Sequence, residues 1–250
     1  MKVRLINEAE HSEAMHHAID QVLLEELNEG NIRPTLRFWY RPHTTVPMGR
    51  FQSYHDEVEH EYIKENDIEV VRRITGGGAM FSEPGKVITY SIYLPSEQVE
   101  SDIEKSYSEL DEFAVKALRK LGVDVDYVPL NDIEHQEGKI GGAAQIRKEN
   151  AVLHHTMMSY DMDTKKMLKA LRIGKEKVSD KAIKSAEKRV SRISDHTDST
   201  RQEVITSLIQ NFESENKVEL EEGSLTDEEL EKAEKLVEEK FSTKKWNRKL

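Results

Sequence analysis

Arg72-Arg73-Ile74-Thr75-Gly76-Gly77-Gly78-Ala79-Met80-Phe81 is the stretch on which the reading of the fold turns. The β-branched run from Ile68 to Ile74 predicts a strand, closed by two arginines and broken by three glycines. Consecutive glycines admit positive φ and let a ligand approach the backbone. Their N–H groups can form an anion-binding nest, and arginine adds fixed donor forks for phosphate. The same residues equally suit a tight turn with two exposed arginines. They are not a Walker A loop or a dinucleotide fingerprint, since the lysine-serine and the spaced glycines are missing.

Outward from this turn, helices and strands mix. Asn7 and Glu10 resemble a capping box, followed by Met15, Ile19, Val22, Leu23 and Leu27 at helical spacing, with Gly30 as the stop. His11, His16 and His17 fall in this helix as surface or packing residues. Leu36 to Tyr40 predicts a strand. Val87 to Leu94 predicts another, after the turn Glu83-Pro84-Gly85. Ile103, Tyr107, Leu110, Ala114, Ala117 and Leu121 mark an amphipathic helix ended by Gly122. Val123 to Val128 is a short strand; Lys139 to Ile146 and Ala151 to Met162 form a strand pair turned at Lys148-Glu149-Asn150. After Thr164 the chain reads as mostly helical, with capping boxes at Ser199/Gln202 and Thr226/Glu229. Gly174 to Thr200 is lysine-rich with few apolar anchors. This order predicts an α+β domain with a central mixed or antiparallel sheet flanked by helices. It would be one domain over 1–250, with a helical part from about 164 packed on it.

Composition bounds the function. The 250 residues carry 37 Lys+Arg against 48 Asp+Glu, a formal charge of −11. That acidity argues against a general nucleic-acid partner, which needs a basic footprint. No apolar run is long enough to span a membrane, and the N-terminus turns polar too early for a secretory signal. A cytoplasmic, membrane-free protein is expected. The chain has no cysteine, which removes disulfides, thiolate metal sites and a cysteine nucleophile.

Two further segments carry chemistry. In Asn131-Asp132-Ile133 and Gly138-Lys139-Ile140-Gly141-Gly142-Ala143-Ala144, one lysine lies beside a run of very small residues. Such a strand leaves room for an elongated ligand, whose carboxylate or phosphate the lysine could hold. Asp132 could carry magnesium. A glycine-weakened edge strand with a solvated lysine reads the same residues more blandly. In Leu153-His154-His155-Thr156, strand alternation sends the two histidines to opposite faces, which argues against a shared zinc ion. No nucleophile-elbow motif supports a serine triad.

Taken together, the segments resemble the lipoate–protein ligase family, in its single-domain archaeal-type form. The family's arginine pair and triple glycine match Arg72 to Gly78, with Ala79 following. Its asparagine-aspartate and lysine match Asn131, Asp132 and Lys139, and its histidine matches His154. The basic segment that orders over the adenylate looks like Lys181 to Ser194, with Ser185, Lys188, Arg189 and Val190. Phe241 to Asn247 resembles the close of the catalytic domain.

The resemblance implies a ligase-type fold and a two-step reaction. Lipoate and ATP-Mg2+ give lipoyl-adenylate, which a lysine of a lipoyl-carrier domain attacks to form an amide. The carriers would be 2-oxoacid dehydrogenase E2 or glycine-cleavage H-type proteins. Lys139 would be catalytic, bridging the acyl carbonyl and the phosphate. Arg72 would contact phosphate or carboxylate. Gly76, Gly77, Gly78, Gly141, Gly142 and Ala143 would admit the ligand to the backbone. Asn131 and Asp132 would hold the adenylate, with Asp132 on magnesium. His154 would line the acyl site, and Lys181 and Arg189 would help cover the adenylate.

Two departures bear on the acyl pocket. Ser82-Glu83-Pro84 stands where many relatives have histidine-aspartate, and His155 where many have glycine. The small accessory domain of two-domain ligases is expected to be absent here and supplied as a separate subunit. The rivals are three. An octanoyl or lipoyl transferase normally uses a cysteine thioester. A biotin–protein ligase has a different glycine-arginine loop. A non-catalytic lipoate-binding module would not need the reaction lysine.

Overall fold

A computed structural model describes residues 1–7, 9–172 and 190–250. Among the described residues ten strands run in chain order: β1 (Lys2–Ile6), β2 (Thr35–Phe38), β3 (Thr45–Met48), β4 (Glu69–Arg72), β5 (Val87–Pro95), β6 (Val125–Val128), β7 (Asp132–His135), β8 (Gly138–Arg147), β9 (Ala151–Ser159) and β10 (Glu219–Glu222). The α-helices are α1 (Glu13–Asn28), α2 (Tyr54–Glu57), α3 (His60–Glu65), α4 (Ile103–Lys120), α5 (Thr164–Ala170), α6 (Arg201–Asn216), α7 (Asp227–Leu236) and α8 (Lys244–Asn247). Eight strands form one sheet in the order β10-β1-β2-β5-β9-β8-β7-β6, and β3 and β4 pair apart. β1 is parallel to β10 and β2, while the pairs from β2 through β6 are antiparallel. The expected mixed sheet flanked by helices is what forms.

Each sheet face has its own core. Phe113, Ala114, Ala117 and Leu118 of α4 pack with Val204, Ile205, Leu208 and Phe212 of α6 against Ile88, Tyr90 and Ile92. On the other face Ile19, Val22, Leu23 and Leu27 of α1 meet Ala233 and Phe241. A third cluster joins Val46, Met48, Phe81, Met157, Met162 and Met167 beneath the small β3–β4 sheet.

Several local expectations are corrected. The N-terminal residues alternate as a strand, so the helix start passes from Asn7 to Ser12, whose hydroxyl accepts from the Met15 N–H. His16 and His17 are buried within α1, and His11 precedes it. The first late capping box is shifted by one residue, to Thr200 and Glu203; the box at Thr226 and Glu229 is as read. Part of the chain beyond 164 is not helical, since β10 joins the main sheet beside β1.

One side chain ties the periphery together. Arg72 is fully buried and donates to the carbonyls of Gly49, Arg50, Gln52, Trp246 and Asn247. Trp246 Nε1 returns a 2.7 Å bond to the Arg72 carbonyl. Removing the guanidinium would strand several carbonyls at once, each costing about 1–3 kcal/mol if it stays dry. Arg72→Met is expected to destabilise the fold by roughly 3 kcal/mol in urea titrations. Trp246, one of only two tryptophans, should show red-shifted emission before global unfolding.

Candidate active site

Adjacent strand residues face opposite ways, and the arginine pair shows it. Arg72 turns to the loops just described, so its side chain is unavailable to a ligand. Arg73 turns inward and lines a narrow cavity together with Glu13, His17, Trp39, Arg41 and His155. Its Nη2 bonds the Gly76 and Gly78 carbonyls at 2.6 and 2.9 Å, and Nη1 reaches the Pro47 carbonyl. Gly77 has a φ of +90°, and a Cβ there would lie 2.7 Å from the Arg73 guanidinium. The triple glycine is therefore wrapped around this cation. Burial lowers the Arg73 guanidinium to about 10, which leaves it charged at neutral pH. Among the described residues no carboxylate forms an ion pair with it.

The floor is β8. Ala143 and Ala144 line the inner cavity with Gly142, while Lys139, Ile140 and Gly141 line an adjoining apolar one. Met80 and Met157 wall both; Met162, Met167 and Val190 complete the outer cavity. The two cavities adjoin along one strand, as an elongated ligand would require. Lys139 lines the outer cavity beside Gly142 of the inner one, with its Nζ 2.6 Å from Asp132 Oδ1. A Cβ at Gly142 would lie 2.8 Å from that Nζ, so a larger residue would press on the ammonium. Asn131 is fixed to the same strand: its side-chain amide donates to the Ala143 carbonyl, and its own carbonyl accepts from the Ala143 N–H at 2.9 Å. The structure thus brings Lys139, Asp132, Asn131, Gly141, Gly142 and Ala143 together. Ala79 lines the outer cavity, whereas Gly76, Gly77 and Gly78 line neither and meet the site through the Arg73 guanidinium they surround.

His154 is placed otherwise. It is fully buried toward α4, with Nε2 2.8 Å from Asp111 and Nδ1 3.0 Å from Gln145. Of the two neighbours on β9, it is His155 that lines the cavity. Its Nδ1 lies 2.9 Å from Asp20 and its Nε2 2.9 Å from Thr75 Oγ1. The expectations on Lys181, Ser185, Lys188 and Arg189 lie outside the described residues. Val190 is described and bridges to Lys139, and the Ser191 N–H donates to the Lys139 carbonyl.

Two buried networks shape the cavity wall. Asp20 accepts from Arg37, Ser91, Tyr93 and His155. Burial would push Asp20 up, but His155 and Arg37 outweigh it and hold the carboxyl well below its usual range. Glu13 lies against Arg41, Thr45 and His17. Burial again opposes ionisation, and Arg41 and His17 overcome it. Trp39 sits between them, with the Arg37 and Arg41 guanidiniums 4.7 and 4.9 Å from its ring centre. Sequence reading missed these residues. Asp20 inside the apolar stripe of α1, and Arg37 inside an apolar strand, were the available signals.

A family model for the lipoyl protein ligase A/B catalytic domain matches residues 12–213. The chain belongs to this family. The lipoate-protein ligase A subunit 1 of Thermoplasma acidophilum is 32% identical, covering 93% of this chain and 91% of that protein. The octanoyltransferase LipM of Brevibacillus brevis is 28% identical over 94% of this chain and 95% of its own length. Among solved structures, a bipartite lipoate protein ligase with its E2 lipoyl domain from T. acidophilum superposes with a TM-score of 0.89. It shares 31% identity and covers 99% of this chain and 95% of that one. A lipoate-protein ligase A bound with ATP superposes with a TM-score of 0.87 at 28% identity, covering 99% of each chain. No helix among the described residues is long and apolar enough to cross a membrane.

The wall carries a pH signature. Burial lowers His155 to about 4 from its ordinary 6.5, against the pull of Asp20. His155 is therefore neutral in the fold, donating from Nδ1 to ionised Asp20 and accepting from Thr75 at Nε2. Below about pH 6.5 the unfolded chain takes up a proton that the folded chain refuses. Stability is fully present above 6.5 and is lost as pH falls toward 4, at about 1.4 kcal/mol per pH unit for this one proton. His16, also lowered by burial, adds in the same direction. Urea midpoints from pH 7.5 to 5 should fall steeply, and His155→Asn should flatten the slope by about one proton.

Proposed function

We propose that this chain is the catalytic part of an ATP-dependent lipoate–protein ligase. The observation that carries the reading is the Lys139 ammonium, held by Asp132 over the Gly142 floor where the two cavities adjoin. In the first step a lipoate carboxylate oxygen attacks the α-phosphorus of ATP, the bond to the β-phosphate oxygen breaks and pyrophosphate leaves. In the second, a carrier lysine amine attacks the acyl carbonyl, the carbonyl–phosphate bond breaks, AMP leaves and an amide remains. Charge develops on phosphate oxygens in the first step and on the carbonyl oxygen in the second. A fixed ammonium between the two positions stabilises both.

The outer cavity, walled by Met80, Met157, Met162 and Met167, suits an apolar acyl chain with sulfur. Arg73, charged and without a carboxylate partner among the described residues, faces the same trough and favours an anionic ligand. Asp132 gives one oxygen to Lys139. Its other oxygen would hold a magnesium ion together with substrate phosphates, where the ion would supply neutralisation of phosphate charge. Asn131 orders the strand under the adenylate. His154 and Arg72 support the site from behind rather than touching the ligand. The likeness to the bipartite Thermoplasma ligase favours a separate accessory subunit. It also favours an E2-type lipoyl domain as carrier, with an H-type protein as an equivalent acceptor.

The likeness to LipM raises an acyl-transferase reading. The chain has no cysteine, so transfer through a thioester lacks its nucleophile here. Lipoate-dependent exchange of labelled pyrophosphate into ATP separates the two. Exchange is expected, and Lys139→Ala should slow it at least ~100-fold, about 2.7 kcal/mol of barrier, with the urea midpoint unchanged. Octanoyl transfer between carriers without ATP, and no exchange even with an accessory subunit added, would replace the ligase by a transferase.

A further inference from the structure

The turn that delivers Lys139 carries residues the reaction does not use. His135 ends β7, Glu137 sits in the β7–β8 turn, and His196 follows the short helical turn Ile193–Asp195. One ligand atom from each of the three lies within 4.8 Å of the others. The two imidazoles are 3.7 Å apart, centre to centre, with 30° between their planes.

We propose that His135, Glu137 and His196 form a zinc site that fastens the return segment 190–196 to the β7–β8 hairpin. The donor set is two imidazole nitrogens and one carboxylate oxygen, a combination that suits zinc and leaves a coordination position for water. His196 is already oriented by a neighbouring hydroxyl. Its Nε2 lies 2.7 Å from Ser191 Oγ, so an Nε2–H donated to that hydroxyl leaves Nδ1 free for the ion. The Nδ1 of His135 accepts from the Glu137 N–H at 3.1 Å. Metal binding at either nitrogen of this ring gives up that bond, which is exposed and readily replaced by water. The ion would also spread the stacked rings toward a tetrahedral angle, a change of side-chain torsion rather than of backbone.

The position gives the site a consequence. Ser191 and Val190 already pair with Lys139, and β7 begins at Asp132. An ion joining residues this far apart in sequence closes a long loop, the case in which a cross-link constrains the chain most. It would fix the two strands that carry the lysine–aspartate pair without touching the substrate. This inference rests on the ligand geometry alone and stands whether or not the ligase reading does.

The test uses the full chain stripped of metal and titrated calorimetrically with Zn2+. One ion per chain is expected, with a Kd at or below ~1 μM. His135→Ala and His196→Ala should each weaken binding at least tenfold. His43→Ala, at an exposed histidine elsewhere, should leave it unchanged. Zinc should raise the Tm of the parent chain and not that of the two variants. Cobalt in place of zinc should give the visible absorption of a low-symmetry nitrogen–oxygen site. If an alanine variant fails to fold, exposed Glu137→Gln provides the comparison and should weaken binding at least threefold. No saturable binding, or binding that His196→Ala leaves within twofold, overturns the proposal.

Discussion

Two adjacent guanidiniums, buried against carbonyl oxygens instead of carboxylates, are the constraint on which the rest of the structure depends. Neutral acceptors satisfy donors but leave net charge uncancelled, and a buried net charge is expensive. The fold meets that cost differently at each arginine. Arg72 gathers five carbonyls from the loop at 49–52 and the end of the chain, so its cost is spread over a tie that closes the catalytic body. Arg73 takes fewer carbonyls and faces the trough. Its remaining charge is what an anionic ligand would complete. The end of one strand thus turns one cation to the loops and the next to the trough, by the alternation of the pleat.

The same alternation sorts the histidines. His154 and His155 are neighbours on β9, yet one fills the layer beneath α4 and the other the wall of the cavity. Around His155 the wall is polar and dry. Asp20 and Glu13 stay ionised because arginines and imidazoles face them, and His155 stays neutral because it is buried. The result is a frame of buried ion pairs and hydrogen bonds around an apolar trough. Lys139 and Asp132 stand beside this trough and are less buried than the frame.

Much of this was legible in the sequence. The strand before the triple glycine, the strand pair at Lys139 to Met162 and the apolar stripe of α4 were readable by pattern. The helix start at Ser12 was obscured because Asn7 and Glu10 imitate a capping box while Val3 and Leu5 pair in a sheet. β10 was illegible because Glu219 to Glu222 is almost wholly acidic; only a parallel partner, β1, makes it a strand. The direction of Arg72 against Arg73 depends on strand phase, which a motif of two identical residues does not reveal. The frame of Asp20, Arg37, Glu13 and Arg41 was hidden for a related reason. Buried ion pairs between distant segments leave only an out-of-place charge within each apolar run.

The central claim is that one trough binds an acyl-adenylate with its mixed anhydride at Lys139. Equilibrium binding of a non-hydrolysable lipoyl-adenylate analogue to the chain, and to its Lys139→Ala variant, tests it without needing turnover, a carrier or an accessory subunit. The account predicts tight, one-to-one binding to the parent chain and a loss of at least ~100-fold, about 2.7 kcal/mol, in the variant. Equal affinity for the two proteins, both shown to be folded, would contradict it.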